Sequence, residues 1–229
     1  MWFICFKQFL NKCKQAEVLI LPASRYILVF DAIKSILEES GVNSLTISNI
    51  AKKCHLHPNT VNYYFNGKSD MLMRFHTYVS NSAAEALPQY YFEVPQNVPE
   101  AVKAVARIVD LELFKPNYRS NVEKKLYLHL IGHMSDQPEI RYYLTEKHSE
   151  YQIFLRGVLF RYVDAGIINP LRLDEGFSSM MLIGAGHDFL YYYYDSSPEE
   201  LDIARERARL TKLLVFERHH PFLDEVLGA

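Results

Sequence analysis

Little in this chain advertises chemistry. Cysteine is scarce: only Cys5, Cys13 and Cys54 occur in 229 residues, at no metal-ligand spacing. An odd number of this kind suggests reduced thiols in a cytosolic protein rather than a disulfide framework. Net charge is scarce too. Lys and Arg number 25 against 27 Asp and Glu, a formal −2. No overall basic character therefore announces nucleic acid, although a small head on a neutral-to-acidic body would give the same balance. No run of about 20 apolar residues is long enough to cross a bilayer. There is no Gly-rich phosphate loop, no Gly-x-Ser-x-Gly nucleophile turn and no strand pattern that persists. What is present is a 49% apolar composition, which excludes disorder and supports a real core.

Met1 to Pro22 is strongly apolar at Trp2, Phe3, Ile4, Phe6, Phe9 and Leu10, with Lys7, Lys12 and Lys14 among them. The basic residues follow the apolar ones and no small-residue cleavage site is clear, so it does not read as a signal peptide. The favoured reading of residues 1–22 is an N-terminal extension, poorly ordered or upstream of the start codon in use. The alternative is an amphipathic helix lying on the body or on a membrane surface.

The chain is organised around Thr46 to Lys68, which reads as two short helices joined by a tight turn. Thr46 suits the N-cap, its hydroxyl accepting from an orphan backbone N–H. Ile47, Ile50, Ala51 and Cys54 recur on one helical face, which makes Cys54 a packing residue, while Lys52 and Lys53 lie off it. His55-Leu56-His57 is too short for anything but a turn. Pro58 fits the first helical position, where its missing N–H costs nothing, with His57 just before it. Val61, Tyr64 and Phe65 form the apolar side of the second helix; Asn59, Thr60, Asn62 and Tyr63 point outward. Asn66-Gly67 stops it, and Ser69 is placed to cap the next helix. Surface helices usually carry Lys and Glu. Short amides and hydroxyls instead suit base edges, and Tyr and Lys suit phosphates. Chemistry alone leaves this open between a DNA reader and a plain polar surface helix.

Residues from about Val29 to Leu72, roughly a third of the chain with the extension included, resemble the DNA-binding head of the TetR family of transcriptional regulators. The resemblance rests on an amphipathic helix ending at Gly41, then Thr46-Ile47-Ser48-Asn49-Ile50-Ala51, the turn, Thr60-Val61-Asn62-Tyr63-Tyr64-Phe65, and Lys68 and Leu72 beyond. The chain departs from the family pattern at His55, where a Gly is usual, and at Asn62, where an aromatic is usual. His tolerates positive φ better than most residues. Both departures leave the operator sequence open.

The rest reads as helices. Ser24 to Ser40 buries Tyr26, Val29, Ile33, Ile36 and Leu37. Ser69 to about Leu87 carries Leu72, Phe75, Val79 and Ala83 on one face. Pro88 to Pro99 is a loop. Further helices are expected from Pro99 to Phe114, Ser120 to Met134, Pro138 to Ala165 with Gly166 as stop, Leu173 to Tyr194, and Pro198 to about Arg218. Leu173 to Tyr194 is apolar nearly all round and must be buried. The expectation is an all-α protein: a three-helix N-terminal helix-turn-helix head over 23–68, and a helical ligand-binding and dimerisation body over 69–229.

His129 and His133 stand at i, i+4, a metal spacing, yet no Glu follows the first His as in a zinc hydrolase and no third ligand is identifiable. Structural histidines or polar ligand contacts are the better readings. His187-Asp188 lacks a nucleophile, so no enzyme is expected, and no metal or cofactor. Gly184-Ala185-Gly186 would let another backbone approach, and Phe177, Met181 and Tyr191 to Tyr194 offer contact area, so the last two long helices are the homodimer candidate.

The resemblance implies the remaining roles. Asn59, Thr60 and Asn62 would lie near bases. Thr46, Tyr63, Tyr64 and Lys68 would hold phosphates, with His57 and Pro58 completing the DNA-facing set. A dimer would read a palindromic operator with half-sites roughly 34–36 Å apart, or a multiple of that. An unknown small-molecule effector would bind inside the body, with Phe75, Tyr78, Leu111, Phe114, Leu126, His129, His133, Tyr143 and Tyr151 as candidate lining; such Tyr-rich walls suit a lipophilic or aromatic compound. The reading is thus a cytoplasmic transcriptional regulator, a repressor released by its ligand. Its rival is a helical protein-interaction module whose head no longer reads DNA.

Overall fold

The computed structural model describes residues 23–113, 121–194 and 203–223. The expectations for the N-terminal extension with Cys5 and Cys13, for Phe114, for the Ser120 cap and for the Pro198 start of the last helix lie outside the described residues. So do the side chains of Ala83, His187, Asp188 and Tyr191 to Tyr194. Among the described residues the secondary structure is helical, with an isolated antiparallel bridge between Ile168 and Val215. No described helix is long and apolar enough to cross a membrane.

The chain forms two compact units, one of residues 1–86 with 120–150, the other of 87–119 with 151–229. The first opens with α1 (Ala23–Ser40), α2 (Ile47–Cys54), α3 (Pro58–Tyr64) and α4 (Lys68–Glu85). It adds α6 (Asn121–Gly132) and the start of α7 (Pro138–Asp164). Its core joins Val29, Ile33 and Leu37 of α1 to Ile50 of α2, Val61 of α3, Leu72 and Phe75 of α4, and Leu126 and Leu130 of α6. Each such residue contributes about 1.5–3 kcal/mol by leaving water. Tyr26, expected in the α1 stripe, is only half-buried; Phe30, which the periodicity did not single out, is buried instead. The Phe30 ring meets Phe65, Phe75 and Tyr78, at 4.9 Å in the last case.

The second unit holds α5 (Val98–Leu113), the rest of α7, α8 (Leu173–Tyr194) and α9 (Ile203–Leu214). Val105, Ile108, Leu155, Leu159, Tyr162 and Leu210 lie at its centre. Gly166, at φ 71, turns the chain after α7. Ile167 and Ile168 then run beside the end of α9: Asn169 N donates to Leu214 O at 2.8 Å, and Phe216 N to Ile167 O at 3.1 Å. That pairing ends α9 at Leu214, short of the Arg218 that amphipathic spacing suggested. A 3-10 turn, Glu217–His219, follows.

Two of the α8 glycines are used inside the chain. A Cβ on Gly176 would meet Leu214 Cδ2 at 2.4 Å, and one on Gly184 would lie 2.9 Å from the Glu112 carbonyl oxygen. Gly184 therefore admits the backbone of α5 from its own chain rather than a partner's. Phe177 is likewise buried, under the Arg156 guanidinium at 4.1 Å, and offers no outward area.

Candidate nucleic-acid interface

The two-helix reader is held by local chemistry at each joint. Thr46 sits in extended backbone, and its Oγ1 accepts from Asn49 N at 3.2 Å. Asn49 Nδ2 donates in turn to Ser44 O at 2.8 Å, fixing the entry into α2. His55 takes the left-handed conformation, φ 55 and ψ 37, that closes α2; Leu56 N then returns to Ala51 O at 2.9 Å. His57 caps α3, its Nδ1 accepting from Asn59 N at 3.2 Å, with Pro58 in the first turn. After α3, Gly67 turns at φ 93, and Asp70 Oδ2 accepts from Asn66 N at 2.9 Å. Ser69 is not a cap: it lies inside α4, whose first residue is Lys68, and its hydroxyl donates to Gln137 Oε1 at 2.6 Å.

These joints fix what α3 presents. Val61 and Tyr64 are buried; His57, Pro58, Asn59, Asn62 and Tyr63 are exposed, Tyr63 at 73%; Thr60 is half-buried. The Tyr64 ring lies against Tyr26 at 5.8 Å and belongs to the head's core rather than its outer face. Thr46 and Lys68 are exposed at the starts of α2 and α4, and Lys68 Nζ reaches Val42 O at 3.5 Å. Lys53 is engaged elsewhere, both Glu39 carboxylate oxygens accepting from it at 2.7 and 2.8 Å. That contact and Ser35 hold the Glu39 carboxyl below its ordinary range. The outer side of the reader thus carries two amides and a phenol that can donate to or accept from base edges or phosphates, and one ammonium. Cys54 is packed inside, its thiol pushed up by burial and by Asp31.

The candidate effector-lining residues divide between the units. Phe75, Tyr78, Leu126, His129, His133 and Tyr143 lie in the first; Leu111 and Tyr151 lie in the second. Phe75 and Leu126 are fully buried core residues. Tyr143 joins a chain of hydrogen bonds: Thr77 Oγ1 donates to Met73 O, and the Tyr143 hydroxyl lies 2.9 Å from Thr77 Oγ1 and 2.8 Å from His76 Nδ1. His129 and His133 approach with ring centroids 4.5 Å apart, and His133 Nδ1 lies 3.5 Å from Asp136 Oδ2. Among the described residues, no three His, Cys, Asp or Glu side chains are grouped to hold a metal ion.

Sequence reasoning missed Glu112. Its carboxylate is buried at 5% exposure in the second unit. Its Oε1 accepts from the Tyr91 hydroxyl at 3.1 Å and from the Tyr151 hydroxyl in a short bond. Burial, then the Glu112 charge, pushes the Tyr91 phenol well above its ordinary value. Nothing local in the sequence marks this group, because its partners lie 21 and 39 residues away.

Two short capped helices joined by the turn at His55 have the geometry of a helix-turn-helix. Residues 29–74 match the family described as bacterial regulatory proteins, tetR family, so this segment is similar to the heads of TetR-family regulators. No curated protein matches the sequence. Solved structures share the fold. A TetR transcription regulator from Haloarcula marismortui ATCC 43049 aligns with a TM-score of 0.69 at 17% identity, over 85% of this chain and all of its own. GusR of Salmonella enterica aligns at 0.59 and 16%, covering 86% of this chain and 98% of its own. The multidrug binding protein EbrR, complexed with ethidium, aligns at 0.55 and 16%, covering 84% and 99%. The match over residues 29–74 supports a DNA-binding transcriptional regulator.

Proposed function

We propose that the protein is a cytosolic homodimeric repressor that reads a palindromic operator with α3 and leaves it when a small molecule binds. The observation that carries this reading is the outward set on a pinned α3: Asn59 and Asn62 exposed, Thr60 partly so, over a buried Val61 and Tyr64. Asn amides match the donor–acceptor pair that adenine presents in the major groove. Thr46, Tyr63 and Lys68 border that set and serve phosphates, fixing register without reading sequence. His57 and Pro58 set the angle at which α3 begins. Tyr64 acts through packing, holding α3 on α1.

The division of labour is a head over 23–68 and a body over 69–229. The dimer face is the outer side of α8, where Ser178, Leu182, Ala185 and Gly186 are exposed, Leu182 at 76%, together with α9. An exposed Leu on a helix of mean apolar character is the kind of surface a second copy covers. For the effector, the ethidium bound by the similarly folded EbrR supports a body that accepts an aromatic compound, and Tyr78 and Tyr143 are partly buried aromatics of the first unit. No feature of the described residues favours a purely protein-binding head.

Binding titrations at several salt concentrations test the residue roles. Lys68→Ala weakens binding on every DNA sequence and makes the salt slope shallower by about one. Asn59→Ala costs about 1–3 kcal/mol on the preferred site only, relaxing sequence preference. An unchanged affinity for Lys68→Ala would remove its phosphate role; an Asn59→Ala loss that is equal on random DNA would remove its base role.

A further inference from the structure

The second unit carries a cleft of about 420 Å³ that the reading of the head does not use. Its walls come from the Asn169–Arg172 turn, the last turn of α9 and the segment from Val215 to His220. Among the described residues, Arg172, Lys212 and Arg218 line it with one carboxylate, Glu217, and with His220 beside them; Lys212 also has an interaction of its own. In a chain of net charge −2 this is a local excess of positive charge running against the background. Arg172 shares its charge with Glu175 at 3.0 Å, but both side chains are more than half exposed. Such a pair is weak and exchanges readily for a better acceptor.

The cleft is also preorganised. The Arg218 guanidinium lies 4.5 Å over the Phe216 ring, and its Nη2 donates to Gly166 O at 3.1 Å. His220 Nε2 faces the Lys212 and Val215 carbonyls at 3.1 and 3.3 Å, so it carries the proton and donates to them. The backbone oxygens nearby are thereby covered by N–H groups, and a bound anion would not meet them bare. Asn169 accepts the Leu171 N–H through Oδ1 at 3.0 Å, which leaves its amide nitrogen as a donor in the same wall. A guanidinium held over an aromatic ring and tied to a backbone carbonyl loses little freedom on binding, and its fork matches the oxygens of phosphate or carboxylate. The volume lies within the range of small-molecule sites.

We propose that this cleft binds a small oxyanion-bearing ligand, a phosphate or polycarboxylate compound, with Arg218 as the anchor and Lys212 and Arg172 as flanking cations. The site is separate from the DNA-reading head and its residues are not among those expected to meet an effector.

The test is calorimetric titration of the full chain with pyrophosphate and, separately, with citrate, at ionic strength fixed by sodium chloride. Saturable binding is expected for at least one of the two, and the tighter one tells phosphate from carboxylate chemistry. Arg218→Gln and Lys212→Gln each weaken it about tenfold. Lys212 is exposed on the last turn of α9, so its variant keeps the test sound if Arg218→Gln loosens the Gly166 turn. Lys68→Ala leaves the cleft affinity unchanged. The proposal is overturned by an absence of saturable heat from both anions, by wild-type affinity in both cleft variants, or by binding that Lys68→Ala alone removes, since the anion would then sit on the head.

Discussion

His129 is half-buried on α6, and its ring packs on that of His133. Burial foremost, then the charges of His133 and Lys68, holds its pKa below the ordinary imidazole value of 6.5. The native protein therefore binds fewer protons here than the unfolded chain. Stability from this residue is complete above the unfolded value and is lost as pH falls through it toward the lower native value. The urea midpoint should fall between about pH 7.5 and about pH 5.5, and fall less in His129→Gln. Equal losses in the two proteins would show that His129 does not carry the effect. At this scale the sequence was legible wherever the chemistry is local. Thr46, His55, His57 and Pro58 do what cap and turn chemistry requires, because each partner lies within a few residues. Tyr64 was assigned both to the apolar side and to the phosphates; its burial against Tyr26 resolves that conflict toward packing. Ser69 and Glu112 were illegible for one reason. Their partners come from distant segments, Gln137 for the first, Tyr91 and Tyr151 for the second.

Among the elements, α3 is the one most dependent on its surroundings. Seven residues cannot form a stable helix alone, so its geometry is imposed by caps and by the core beneath it. Helix periodicity located nearly every element, since 3.6-residue spacing is visible without a fold. Ends fared worse. The α9 pattern runs on past Leu214, and only pairing of Val215 with Ile168 stops it. Helix α8 shows a subtler limit: a small residue announces a close approach but not by what. Gly184 meets Glu112 of the same chain. An exposed helical Gly→Ala change gains up to about 1 kcal/mol from propensity. At Gly184 the added methyl meets backbone that cannot swing aside, and overpacking of this kind costs about 1–3 kcal/mol. Gly184→Ala should therefore lower stability by about 1 kcal/mol or more in chemical denaturation. A gain in stability would show that α5 and α8 do not pack as closely as described.

For the whole molecule, net charge proved uninformative. The chain is slightly acidic, yet the proposed DNA-facing set includes only one cation, Lys68 at the start of α4. Assembly matters more, because a seven-residue reader gains affinity when two copies act on one DNA. Leu182→Glu places a charge at the centre of the proposed dimer face while leaving the core side of α8 untouched. Sedimentation should show a dimer for the wild type and a monomer for this variant, with unchanged helix content. A dimer of undiminished strength would move the interface elsewhere.

On the proposed function, this head reads DNA by sequence, as one of a symmetric pair. The most direct measurement is selection of fragments from random or genomic DNA by the purified full chain at physiological salt. Strong enrichment of a palindromic motif with two half-sites, bound more tightly than random DNA, is expected. A folded, dimeric protein that enriches no sequence, with no small molecule bound, would contradict it and leave protein partners as the head's business.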